Sequence, residues 1–140
     1  MIILNKTKLF ACAIVLITND IEKTVEFYKE ELGFEVVKHY EQEEKFAACY
    51  RDEVEIVVVK AKKGNIVPNN ERYGAGYDAY FVPEDVDLFY QELKNKDVKI
   101  IQRPVLTAYG SKEFKIEDID GSIIGIGKIQ DYDKFFKRNS

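Results

Sequence analysis

The stretch that decides the fold is DIEKTVEFYKEELGF, residues 20–34. Four apolar residues within it recur at spacings of four, three and four: Ile21, Val25, Tyr28 and Leu32. Charged side chains fill the positions between them, so the pattern predicts an amphipathic helix over residues 21–32. Asp20 stands where a helix N-cap is expected, and Gly33 stands where a left-handed C-terminal cap favours glycine.

Apolar runs on both sides of this helix predict strands. Residues 10–17 (FACAIVLI) are apolar and rich in β-branched side chains, which is typical of a strand that leads into the helix. Charged turns separate three further strand-like segments: 34–40, 45–50 and 54–60. The order of elements over the first half of the chain is therefore β-α-β-β-β.

The same order begins again after residues 61–76 (AKKGNIVPNNERYGAG), whose Gly, Pro and Asn content predicts a linker. Residues 77–82 are strand-like, and Asp85 is expected to cap a second helix. The apolar face of that helix carries Val86, Phe89, Tyr90 and Leu93. Three more strand candidates follow it: 98–101, 114–116 and 122–126.

We therefore predict an α+β fold of two βαβββ modules that form a curved mixed sheet around a cleft. Module one spans residues 8–60 and module two spans residues 77–130, with 61–76 between them. One βαβββ unit alone leaves sheet edges unpaired and half a core exposed, so two units are expected to pack together. The charged tail, residues 131–140, either forms a short docking helix or frays.

Composition narrows the class of protein. The formal net charge is −4, and the lysines are interleaved with acidic residues, which argues against a nucleic-acid-binding surface. No stretch is long and apolar enough for a membrane span, and the apolar run of residues 2–4 is too short for a signal peptide. We expect a cytoplasmic protein. Cys12 and Cys49 lie in apolar runs at a spacing typical of no metal motif, so both are expected to be buried, reduced thiols.

Two motifs carry a resemblance to a known family. Residues 20–34 are similar to the helix signature that opens members of the glyoxalase/bleomycin-resistance/dioxygenase (vicinal-oxygen-chelate) superfamily. Residues 109–121 (YGSKEFKIEDIDG) resemble its second-module signature, with Ile119 where proline is commoner. The resemblance covers about residues 8–130 and implies the two-module fold. That fold supports several chemistries, so the residues of the site must decide the function.

The metal-ligand positions that the resemblance implies fall on four residues: Ala13, Asp78, Gly125 and, within segment 54–59, Glu55. Alanine and glycine have no donor atoms. The one histidine, His39, lies near a strand end and is expected at the surface. We therefore predict no metal site and no cofactor, which argues against glyoxalase I activity and extradiol oxygen chemistry.

Strand alternation predicts which side chains line the cleft instead. The expected ligand-binding residues are Ala13, Val15, Asp78, Tyr80, Tyr109, Glu113, Lys115, Ile123 and Gly125. Asp78 has an ordinary structural interpretation as well, since it can bond a neighbouring backbone or pair with Lys115. Glu113 can equally be solvated or salt-bridged, and the two tyrosines can fill the core or the rim.

Acidic and aromatic groups in such a lining predict a small organic ligand that is cationic or aromatic. Three functions remain open. The first is a binding protein that resembles bleomycin-resistance proteins and sequesters a drug or metabolite. The second is a lyase or isomerase with Asp78 or Glu113 as general base. The third is a sensor or scaffold. Two-module relatives usually form homodimers, so we expect a homodimer, with or without exchange of modules.

Overall fold

The computed structural model describes residues 5–138; the apolar run of residues 2–4 and the tail residues 139–140 lie outside the described part. Module one contains β1 (Ala13–Thr18), α1 (Ile21–Glu30), β2 (Glu35–His39), β3 (Phe46–Arg51) and β4 (Val54–Lys60). Its sheet has the order β1-β4-β3-β2. The β1 and β4 strands are parallel and the other pairs are antiparallel.

Module two repeats this arrangement. A short helix, α2 (Asn69–Tyr73), precedes it. Its elements are β5 (Ala79–Phe81), α3 (Val86–Lys94), β6 (Lys99–Leu106), β7 (Ser111–Glu117) and β8 (Ile123–Ile129), and α4 (Tyr132–Phe135) follows. The sheet order is β5-β8-β7-β6, with β5 and β8 parallel. Two four-stranded mixed sheets with their helices confirm the predicted α+β fold of two βαβββ modules.

Both long helices begin at the side-chain caps that the sequence predicts. The Asp20 carboxylate accepts a hydrogen bond from the Lys23 amide (3.2 Å), and the Asp85 carboxylate accepts one from the Leu88 amide (3.0 Å). Gly33 adopts a φ of +74°, a conformation that disfavours side chains with a Cβ. Helix α1 ends at Glu30, two residues before the predicted end.

Other predictions in the first half of the chain also differ from the structure. The first strand begins at Ala13 rather than Phe10, because β1 pairs with β4 only from Ala13 onward. Cys12 therefore lies before the sheet and is exposed, so its predicted burial is wrong. Cys49 is buried as predicted, and burial raises the pKa of its thiol to about 11. The expected linker contains helix α2, and Gly74, with a φ of +72°, caps its C-terminus.

One hydrophobic core serves both modules, because the modules meet on the helix-covered sides of their sheets. The rings of Phe34 and Phe81 lie 6.1 Å apart across this junction, and Tyr28 is fully buried in it. The Tyr28 hydroxyl donates to Asp118 of module two over 2.7 Å. The Arg51 guanidinium of module one likewise donates two hydrogen bonds to Glu92 on α3.

The opposite sheet faces are open. In module one, Val15 and Ile17 on the apolar edge strand β1 are 58% and 44% exposed. In module two, Tyr80 and Tyr109 are 37% and 48% exposed. These are the faces on which strand alternation places the expected ligand-binding residues. Within residues 5–138 no helix is long and apolar enough to cross a membrane.

Candidate functional site

Three side chains on the open face of module two form a hydrogen-bonded group, the Glu113 cluster of Tyr80, Tyr109 and Glu113. The Tyr80 hydroxyl donates to Glu113 Oε2 over 2.8 Å, and the Tyr109 hydroxyl donates to Glu113 Oε1 over 2.7 Å. Glu113 is only 8% exposed. Two neutral donors thus hold a buried carboxylate in place, and each carboxylate oxygen has its own partner.

Glycines on β8 make this contact possible. Tyr80 on β5 pairs with Gly125, and Glu113 on β7 pairs with Gly127, so the tyrosine must cross β8 to reach the carboxylate. A Cβ at position 125 would lie 2.8 Å from a Tyr80 ring carbon, and one at position 127 would overlap the Tyr80 hydroxyl. The space next to Gly125 is therefore filled by aromatic rings, including that of Tyr77.

Aromatic and basic groups surround the cluster. The ring of Tyr77 lies 5.6 Å from that of Tyr80, and the Lys115 ammonium lies 5.5 Å from the centre of the Tyr77 ring. Burial and then the Glu113 hydrogen bond raise the pKa of Tyr80. The Glu113 hydrogen bond and then burial raise the pKa of Tyr109. Both phenols therefore remain protonated donors at neutral pH.

Asp78 does not join the Glu113 cluster. It lies just before β5, where its carboxylate accepts hydrogen bonds from the backbone amides of Asn69 (3.1 Å) and Ile123 (2.8 Å). Its own amide donates to the Ile123 carbonyl. Asp78 thus connects the start of α2 to the start of β8. This is the structural alternative given above, in which Asp78 bonds a neighbouring backbone. With Val15 it lines a groove of about 320 Å³ beside residues 61–72.

Ala13 and Val15 lie on the open face of module one. Their partners across the sheet are Glu55 and Val57, and the neighbouring position Ile17 pairs with Val59. Apart from Glu55 these residues are apolar, and the face does not contain the groups of the Glu113 cluster. Sequence alternation thus found the open face of each module, but it did not show that the two faces lie on separate sheets.

The residues present do not fit the metal of the metal-dependent relatives. Ala13 has no donor atom, and Gly125 has none and is covered by tyrosine rings. Both Asp78 oxygens accept backbone hydrogen bonds, while Glu55 accepts one from the Tyr50 hydroxyl at 3.3 Å. Over residues 5–138 no three His, Cys, Asp or Glu side chains lie close enough together to hold a metal ion.

Comparison with known proteins identifies the family. The family model of the glyoxalase/bleomycin resistance protein/dioxygenase superfamily matches residues 12–126. The match covers most of the chain and reaches into the last strand, so this protein belongs to that superfamily. No curated protein matches the sequence.

Solved structures share the fold at low sequence identity. A member of the same superfamily from Sphaerobacter thermophilus DSM 20745 has a TM-score of 0.70 at 20% identity, covering 86% of this chain and 97% of the other. TioX from Micromonospora sp. ML1 has a TM-score of 0.64 at 14% identity, covering 85% and 99%. A glyoxalase/bleomycin resistance protein/dioxygenase from Nocardioides has a TM-score of 0.65 at 16% identity, covering 91% and 87%.

Proposed function

We propose that this protein binds a small organic cation at the Glu113 cluster, without a metal ion, and that it acts as a binding protein. The observation that carries the proposal is the buried Glu113 carboxylate, held by the hydroxyls of Tyr80 and Tyr109. A fixed negative charge beneath partly exposed aromatic rings favours a cationic group, which gains both charge and cation–π attraction.

The position of Lys115 supports a cationic ligand. Its ammonium lies over the Tyr77 ring at 5.5 Å, so the protein already places one of its own cations against this aromatic surface. Aromatic ligands fit the same surface by stacking on Tyr80 and Tyr109, whose rings are partly exposed. A ligand that is both aromatic and cationic uses both properties.

Hydrogen bonding at the two candidate bases favours binding over catalysis. A general base must direct a free lone pair at the substrate proton. Asp78 already accepts two backbone amides, and Glu113 accepts two phenols. Each of the four oxygens already has a fixed protein donor, with which a substrate proton would have to compete. The lyase or isomerase alternative therefore has less support from the geometry than the binding protein.

A larger groove of about 930 Å³ lies at the end of the module-one sheet, and none of the expected ligand-binding residues lines it. Its floor includes Phe46 and Val59, but its rim carries exposed charges such as the Lys62–Glu44 ion pair. Solvated ion pairs give little binding energy or specificity. We place the ligand at the Glu113 cluster because its polar groups are buried and fixed in position.

We also propose that the protein is a homodimer. Apolar side chains on the open face of module one are unusually exposed: Val15 (58%), Ile17 (44%), Val37 (46%) and Tyr50 (39%). The strand register places them on the same face of one sheet. A second copy that covers this face would remove it from water, which is favourable for any contiguous apolar patch.

The test is thermal denaturation of metal-stripped protein with benzyltrimethylammonium, compared with Ni²⁺, Zn²⁺, Mn²⁺ and Fe²⁺. We expect the organic cation to raise the Tm of the wild type but not that of Glu113→Gln. Glu53→Gln, which alters an exposed carboxylate on a module-one turn, should behave as the wild type. Stoichiometric stabilisation by a metal would contradict the metal-free site, and an equal response from Glu113→Gln would contradict its location.

A further inference from the structure

We infer that the C-terminal segment 130–138 forms part of the ligand site, so that the ligand is a cation with several fused rings rather than one ring. The inference rests on the proposed function. It concerns α4, which lies beyond residue 126, where the match to the family model ends. The argument uses the attachment of α4, its aromatic contacts and the charges around it.

Backbone hydrogen bonds attach the segment to the turn that carries Tyr109. The amides of Gln130 and Asp131 both donate to the Gly110 carbonyl, at 2.8 and 3.0 Å. Gly110 has a φ of +89°, and a Cβ there would lie 2.9 Å from the Asp131 carbonyl oxygen. Glycine is therefore required for this close approach. Of the two predicted states of the tail, the structure shows the docked helix.

Aromatic rings run without a break from the Glu113 cluster onto α4. The Phe135 ring meets Tyr109 edge-on at 6.1 Å and Phe136 at 5.2 Å, and Tyr132 stacks on Phe136 at 6.2 Å. Phe135 remains 38% exposed, while Phe136 and Tyr132 are each 51% exposed. Rings held in a fixed row but left partly in water form a surface that a flat molecule can cover.

Charges determine how a ligand would lie on this row. Glu113 supplies a buried negative charge at one end. At the other end the Arg138 guanidinium lies 5.0 Å from the centre of the Phe136 ring and pairs with Asp133. A cationic centre is therefore attracted to the Glu113 end and repelled from the Arg138 end. The uncharged rings of the ligand would extend over Tyr109 as far as Phe135.

The experiment compares two probes of different length, benzyltrimethylammonium with one ring and proflavine with three fused rings. We expect Phe135→Ala to weaken proflavine binding about tenfold, the scale of one lost aromatic contact, and to change benzyltrimethylammonium binding by less than about twofold. Phe135→Tyr should restore proflavine binding. Tyr73→Ala removes an exposed ring from α2, outside this row, and it should leave both affinities unchanged.

Two results would overturn the inference. Proflavine binding that is insensitive to Phe135→Ala would show that α4 does not contact the ligand. Equal weakening of both probes would show that Phe135 acts only by supporting Tyr109. Failure of the proposed function is a separate outcome, because benzyltrimethylammonium binding would then be insensitive to Glu113→Gln.

Discussion

The side chain of Tyr80 lies across Gly127, and its hydroxyl occupies the space that a Cβ at position 127 would need. The glycine is therefore a condition for the hydrogen bond between Tyr80 and Glu113. Strand β8 contributes no polar side chain to the cluster. Its contribution is the absence of a side chain at the point where Tyr80 must cross it.

This relationship predicts that Gly127→Ala displaces Tyr80 and lowers the free energy of unfolding by about 1–3 kcal/mol, the usual cost of overpacking. It should also abolish binding of benzyltrimethylammonium. In Tyr80→Phe protein the overlapping hydroxyl is absent, so the same glycine substitution should cost less. Urea denaturation of the four proteins in a double-mutant cycle measures the difference. Strictly additive effects would contradict the proposed contact.

Removal of the internal cation should strengthen ligand binding. Lys115→Met takes away the ammonium that lies over Tyr77, and we expect about a threefold higher affinity for benzyltrimethylammonium, within the usual worth of an exposed cation–π contact. Lys112→Met, on the same strand but paired with Asp87, is the matched control. Titrations followed by tyrosine fluorescence give both affinities. Equal affinities for the two variants would show that Lys115 does not compete with the ligand.

Substitution of Asp78 should affect stability without affecting binding. In Asp78→Asn only one oxygen remains to accept from the amides of Asn69 and Ile123, so we expect the free energy of unfolding to fall by roughly 1–2 kcal/mol. Benzyltrimethylammonium affinity should stay within about twofold of the wild type. A variant of normal stability that has lost its affinity for this cation would instead place Asp78 in the ligand site.

The buried Asp118 makes stability depend on pH. Burial raises the pKa of its carboxyl from 3.8 to about 6, although the Tyr28 hydroxyl and the backbone amides of Asp120 and Ser122 act in the opposite direction. The folded state therefore binds the proton more tightly than the unfolded state. The resulting stability is fully present below the unfolded pKa and is lost as the pH rises through about 6.

We expect the free energy of unfolding to fall by on the order of 2 kcal/mol between about pH 4.5 and pH 7 because of this group. Asp118→Asn keeps the shape but cannot titrate, so the decrease should be absent. Other carboxylates, such as Glu92 beside Arg51, have a pKa below the usual value of 4.5. Their contribution to the free energy of unfolding is lost only when the pH falls below 4.5. Urea denaturation of the wild type and of Asp118→Asn across this pH range tests the assignment. If the stability of both proteins changes with pH in the same way, another group causes the pH dependence.

A charged residue on the open face of module one should prevent dimer formation. Val15→Lys places an ammonium in the apolar patch that we propose to be covered by a second copy. Leu88→Lys changes a residue of similar exposure, 68%, on helix α3 and serves as control. Sedimentation velocity should show a dimer for the wild type and Leu88→Lys, and a monomer for Val15→Lys. A wild type that sediments as a monomer would contradict the dimer.

Local periodicity predicted much of this fold. The four-three-four spacing from Ile21 to Leu32 and the carboxylates of Asp20 and Asp85 are sufficient for the two long helices and their first turns. Strand alternation also placed Glu113 and Lys115 on one face, because the period of a strand is two. These features depend on residues close together in the chain.

The site depends on contacts that local patterns do not contain. Tyr80 and Glu113 meet only because β8 lies between β5 and β7 and carries glycine at the crossing. Asp78 lies one residue before a strand, so its side chain follows the loop geometry rather than strand alternation. The docking of α4 requires the φ of +89° at Gly110, twenty-one residues before Asp131. The pair Gly125 and Gly127 on the last strand was the sequence signal from which the crossing of β8 by Tyr80 could have been predicted.

The two polar contacts between the modules, Tyr28 with Asp118 and Arg51 with Glu92, are chemically different. At α1, Tyr28 meets a buried acid, and at α3, Arg51 meets a partly exposed one. Salt screens exposed charges far more than buried ones, whereas burial disfavours the ionised form of an acid. Ionic strength therefore weakens the contact at α3, whereas a rise of pH through about 6 makes it costly to bury the acid at α1. Beside their shared core, the two modules are thus connected by two polar contacts, one sensitive to ionic strength and the other to pH.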